Sequence, residues 1–84
     1  MASRNPVLIF ARDLNEARAY AASEGMGKHW LFARDLSEPT RYHHGPVAVL
    51  PGFEDNPKHG LLAPLAEVLE DEQGPYVPRA ATNR

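Results

Sequence analysis

Apolar positions along the chain gather into short runs separated by helical and turn-like stretches. Val7-Leu-Ile-Phe-Ala11 is unbroken and rich in β-branched and aromatic side chains, the pattern of a strand covered on both faces in a parallel sheet. It predicts the central strand. Asp13 then stands as a helix cap, with Glu16 completing an Asp-x-x-Glu capping box, and the helix should run from about Leu14 to Glu24. Leu14, Ala17 and Ala21 share one face at helical spacing, and the small alanines let that face sit close to a sheet. Gly25 occupies the place of a left-handed C-cap, and Met26 is positioned to fold back on the last turn.

Lys28 through Ala33 alternates, with Trp30 and Phe32 on one side and His29 and Leu31 on the other, which predicts a second strand at the sheet edge. Val47-Ala-Val-Leu50 predicts a third, closed by Pro51-Gly52. Between these strands Pro39 and Gly45-Pro46 limit any helix to a short turn. Asn56-Pro57 is a cap followed by proline, yet Gly60 and Pro64 place the start of the last regular helix near Leu61, with Leu61, Leu65, Val68 and Leu62, Leu69 as its apolar stripe.

One stretch is used twice. Phe10-Ala-Arg-Asp-Leu-Asn-Glu-Ala-Arg-Ala-Tyr20 recurs as Phe32-Ala-Arg-Asp-Leu-Ser-Glu-Pro-Thr-Arg-Tyr42, with seven identities in eleven positions. Each copy reads as a strand end, a turn and a helix start. The resulting order is β-α-β-turn-β-α, an α/β fold with a small three-stranded, mostly parallel sheet. Its expected strand order is 2-1-3, with the most apolar strand in the middle, and it resembles half of a doubly wound fold. Residues 1–5 are expected to form a flexible N-terminus, residues 6–72 a single domain and residues 73–84 a mobile tail rich in proline and polar groups.

Composition narrows the function. A chain of 84 residues buries only roughly 60–65 % of its unfolded surface, so self-association is an expected route to further burial, most simply as a homodimer. A net charge of −2 gives no long-range attraction to phosphate backbones or anionic lipid. Nucleic acid is therefore not an expected partner. Cysteine is absent, and no apolar run has the length of a signal peptide or membrane span, so the expected location is the cytoplasm.

Candidate chemistry falls at the carboxyl ends of the strands, where open α/β sheets bind ligands. Arg12, Asp13, Arg34, Asp35 and Gly52 all lie there, and paired arginines beside helix starts suit a phosphate or carboxylate. Against this stands a plain structural role, with aspartates as caps and arginines paired along the rim. A glycine-rich phosphate loop is missing, since Ala11-Arg-Asp-Leu14 has no glycine, and Gly25-Met-Gly-Lys28 follows a helix rather than a strand. The residues His29, His43, His44 and His59 match no zinc spacing and are expected to be solvated loop residues; no metal or cofactor is expected. Ser37, His43 and Asp35 can be drawn as a triad, but without a nucleophile elbow the trio carries little weight. Trp30, Tyr42 and Tyr76 form a candidate interaction surface. Tyr20 and Tyr42, at matching repeat positions, are expected to share a packing role.

The Phe-Ala-Arg-Asp strand end, the Glu-Ala-Arg-Ala-Tyr-Ala helix, the Gly-Met-Gly-Lys-His-Trp link and the Val-Ala-Val-Leu-Pro-Gly-Phe strand together resemble small α/β proteins of actinobacterial phages, over roughly Pro6 to Glu70. The resemblance implies an accessory protein acting in the host cytoplasm and assigns no functional residue. The expected function is a non-enzymatic protein-interaction module with a host or phage protein as partner; the alternative is a small-anion or nucleotide-binding domain using the strand rim.

Overall fold

The computed structural model describes residues 6–77, so the expectations for residues 1–5 and 78–84 lie outside the described residues. Strand β1 (Val7–Phe10) is followed by helix α1 (Leu14–Ser23), strand β2 (Trp30–Phe32), helix α2 (Glu38–Arg41), strand β3 (Val47–Val49), a 3₁₀ turn (Pro51–Asp55) and helix α3 (His59–Gln73). The sheet is parallel with order β2-β1-β3, as the apolar run at Val7–Ala11 predicts. Its two faces bury separate cores. Val7, Ile9, Ala48 and Leu50 meet Ala17 and Ala21 of α1 on one face, and Leu8, Phe10 and Val47 meet Leu62, Ala66 and Leu69 of α3 on the other.

Helix α1 begins and ends as its residues dictate. Asp13 Oδ1 accepts the Glu16 amide at 2.9 Å, and Gly25 has φ 66°. The Gly25 amide reaches Ala22 O and the Met26 amide reaches Ala21 O, a complete left-handed cap that buries Met26. The turn continues through Gly27, at φ 62°, and regular β2 starts only at Trp30, two residues later than expected.

The second repeat copy is built differently. Its four-residue helix starts at Glu38 with Ser37 as cap, while Asp35 Oδ1 accepts the Ser37 amide in a local turn. Proline explains the shift. With Asp35 as cap, the amide of residue 39 would have to close the first helical hydrogen bond, and proline has none; a later start puts Pro39 in the first turn, where the missing donor is harmless.

Helix α3 starts at His59, earlier than Gly60 and Pro64 suggest. The His59 amide bonds Asn56 O, and the Leu61 and Leu62 amides share Lys58 O, so a turn exists before Pro64 is reached. Pro64 and Gly60, whose carbonyl would have been its partner, are both exposed, which leaves that carbonyl to water. The buried stripe is Leu62, Ala66 and Leu69, with Leu65 at its margin. Leu61 and Val68, expected within the stripe, are about half exposed. After α3, Gly74 turns the chain back along β3: the Val47 amide donates to Gly74 O at 3.2 Å and the Tyr76 amide to Val47 O at 2.8 Å.

Candidate functional site

At the carboxyl end of β1 the chain supplies its own anion. The Arg12 amide donates to Glu16 Oε1 at 2.6 Å, a variation on the capping box in which Glu16 reaches one residue beyond the cap. Gly52, across the crevice at the end of β3, lies so close that a Cβ there would collide with the Glu16 carboxylate. The crevice between β1 and β3 is where strand order reverses, the usual ligand position in such sheets. Here a side chain of α1 fills it, so Gly52 does not join the arginines in one site.

The cations gather on the other side of β1. Arg12, Arg34 and Lys58 ring a shallow hollow of about 220 Å³ whose walls include Leu14, Phe32 and Pro57. The two neutral or acidic polar groups of its lining are already engaged. Asp13 caps α1 through Oδ1 and pairs with Arg12 Nε through Oδ2 at 3.4 Å. Buried Asn56 donates from Nδ2 to Ala11 O at 2.7 Å and accepts the Lys58 amide through Oδ1 at 2.7 Å. Arg34 and Lys58 have no carboxylate within 4.0 Å among the described residues, although both help the Ser37 hydrogen bonds hold the Asp35 carboxyl below its ordinary range. Asp35 itself lies beside the neighbouring groove instead of the hollow. Lys58 and Asn56 are the residues that sequence reading misses: Asn56-Pro57 signals a cap, and nothing local announces a hydrogen bond to Ala11, 45 residues earlier.

That neighbouring groove, of about 410 Å³, follows the outer edge of β2. Leu8, Trp30, Leu31, Phe32 and Thr40 line it, and it shares Leu14, Phe32 and Arg34 with the cationic hollow. Val7 N bonds His29 O and Ala33 N bonds Ile9 O, so by strand alternation the backbone groups of Trp30 and Phe32 point away from β1. No described residue pairs with them. A third hollow, of about 400 Å³ between the end of β3 and α3, carries Glu54, Glu67 and Glu70.

The three candidate aromatics occupy different places. Trp30 is half-buried, packs against the α1-side core and donates Nε1–H to Gly27 O at 3.1 Å. Tyr42 is exposed beneath the Arg41 guanidinium, 5.3 Å from its ring centre. Tyr76 stacks edge-on with Tyr20 and donates its hydroxyl to Glu24 at 3.1 Å. Tyr20 and Tyr42 thus do not share a packing role. Burial raises the Tyr20 phenol, with Glu24 adding to the effect.

His43, expected in solvent, is buried; its Nε2 lies 3.3 Å from Pro46 O, and desolvation lowers its pKa. Its ring bond to Pro46 and the Asp35 bond to the Ser37 backbone leave the Ser37, His43, Asp35 trio without a relay. His59 packs edge-on against Phe53 with centroids 4.8 Å apart. Among the described residues no three His, Asp or Glu side chains come together to hold a metal ion, and no helix is long and apolar enough to cross a membrane. Comparison with family models, curated proteins and solved structures gives no match to this chain.

Proposed function

We propose that this chain is a non-enzymatic interaction module, a phage-type accessory protein working in the host cytoplasm, whose β2 edge receives an extended segment of a partner. The observation that carries this reading is the inequality of the two sheet edges. β3 has Gly74 and Tyr76 bonded to its outward-facing Val47, whereas the outward groups of Trp30 and Phe32 on β2 have no described partner and border a groove in which Leu8, Leu14 and Leu31 stand beside the polar Arg34, Asp35, Ser37 and Thr40. Unpaired edges are templates for strand addition, in which main-chain bonds give affinity and alternate side-chain pockets give selectivity. A second copy is one such partner; a two-fold axis would pair the β2 strands antiparallel.

The test is selection of random heptapeptides against the domain, followed by NMR mapping. Bound peptides should perturb the amides of Trp30, Leu31 and Phe32, and Leu31→Lys should weaken them by placing a charge on the groove wall. Perturbations confined to the acidic hollow or to Tyr42 would reject the β2 edge. Light scattering coupled to size exclusion identifies the homodimer form by a mass that doubles with concentration and stays monomeric in Leu31→Lys.

A further inference from the structure

We infer that the β2 edge and the cationic hollow form one composite site for the C-terminus of a partner protein: an extended segment adding parallel to β2, with an apolar last residue and a free carboxylate. This rests on the β2-edge reading and adds direction and end chemistry to it. The groove and the hollow share Leu14, Phe32 and Arg34, so they adjoin and a strand lying along the groove ends beside the hollow.

Charge selects the orientation. The hollow lies at the carboxyl end of β2, beside Arg34. A segment running parallel to β2 brings its carboxyl terminus there, and one running antiparallel brings its ammonium. Arg12, Arg34 and Lys58 outnumber the nearby carboxylates, Asp13 paired with Arg12 and Asp35 on the groove side of Arg34 and Lys58, so the balance attracts the first and repels the second. The asparagine and aspartate of the lining are already committed to Ala11 O, the Lys58 amide, the Glu16 amide and Arg12, which leaves Arg34 and Lys58 as the groups that face a ligand. Guanidinium and ammonium donors together match the two oxygens of a carboxylate. Leu14, Phe32 and Pro57 supply an apolar wall for the side chain of the same residue. A volume of about 220 Å³ lies below the roughly 300 Å³ of the smaller drug-sized pockets, a scale that suits one terminal residue. The hollow on the far side, with Glu54, Glu67 and Glu70, would repel a carboxylate.

Trp30, the single tryptophan of the chain, lies on the groove and reports binding by fluorescence. Heptapeptides selected from a library displayed with free C-termini are resynthesised as free acids and as carboxamides, then titrated against the protein. The expected result is binding that carboxamide formation weakens roughly tenfold or more, that Arg34→Gln and Lys58→Gln weaken similarly, and that declines with added salt. The two substitutions lie at exposed positions, and unchanged thermal midpoints in the variants show that the fold is retained. Acid and amide forms that bind the β2 edge equally would overturn this inference while leaving the edge reading intact. Peptides that perturb neither Trp30 nor Phe32 would remove both. N-acetyl-leucine binding as tightly as the heptapeptides would overturn the peptide occupant in favour of a small free carboxylate.

Discussion

The two copies of Phe-Ala-Arg-Asp-Leu lie side by side in the same sheet, yet they face opposite ways. The register pairs Ile9, not Phe10, with Phe32. That offset of one residue reverses every side chain, because strand side chains alternate between faces. Phe10 is fully buried against α3, edge-on to Phe53 at 5.3 Å, whereas Phe32 packs, half-buried, on the α1 side. The inversion continues along the copies. Asp13 caps a ten-residue helix and Asp35 only shapes a turn; Tyr20 meets Tyr76 while Tyr42 faces solvent. Repetition of sequence therefore reproduces local geometry, a strand that ends in a turn, without reproducing environment.

The largest effect should come from the phenylalanines. Phe10→Ala is expected to cost about 3–5 kcal/mol, the range for a fully buried aromatic, and Phe32→Ala distinctly less. Because small domains have only about 5–15 kcal/mol in total, Phe10→Leu serves where the alanine variant does not fold. Urea denaturation gives both numbers, and equal losses would contradict the inverted register. Next come the aspartates. Asp13→Ala should cost about 1 kcal/mol through loss of the cap, and Asp35→Ala less; a larger loss at Asp35 would mean that the second turn, not the first, organises the rim.

Glu16 and its repeat partner Glu38 sharpen the contrast further. Glu16 is held by the Arg12 amide against Gly52, while Glu38 is exposed in a four-residue helix. Gly52→Ala should displace the flexible Glu16 carboxylate and cost about 1 kcal/mol, the order of one hydrogen bond. In a Glu16→Ala background the same substitution should be nearly neutral. A double-mutant cycle without coupling would show that Gly52 is required for another reason.

The smallest effect is a pH dependence on the acid side of neutrality, carried by the second copy. Ala21 and His43 follow the two tyrosines, and both are buried. Desolvation holds the His43 imidazole below its ordinary 6.5, so the unfolded chain binds the proton more readily. Its contribution is fully present above about pH 6.5 and is lost as pH falls toward the lower folded value. Thermal midpoints should drop between pH 7.5 and 5.5 in the parent and drop less in His43→Asn. Identical slopes would assign the pH dependence to other groups.

Strand order, the Asp13 cap and the Gly25 turn are legible because each depends on neighbours in sequence: an apolar run, a side chain three residues from its amide, a glycine at positive φ. The α3 face is less legible. Leu61 and Val68 satisfy helical spacing as well as Leu62 and Leu69, and only docking on the sheet decides which pair is covered. Along the candidate rim, Arg12 and Arg34 line one hollow, Lys58 joins it from a loop anchored by Asn56, and Gly52 lies against Glu16. These contacts join residues far apart in sequence, where periodicity carries no information. The burial of His43, whose ring nitrogen meets the Pro46 carbonyl, falls in a stretch that composition alone marks only as a loop.

The return of Gly74–Tyr76 along β3 also sets the valence of the molecule as a building block. A sheet with two open edges behaves as a bifunctional monomer, and strand addition at both ends propagates into open-ended polymers. Here an incoming strand at β3 must first displace the bonds that Gly74 and Tyr76 make to Val47, while among the described residues none bonds the outward groups of β2. On the proposed reading of β2, this asymmetry would make the chain a terminating unit: association through β2 would meet a β3 edge already occupied at Val47, which disfavours growth into open-ended fibres.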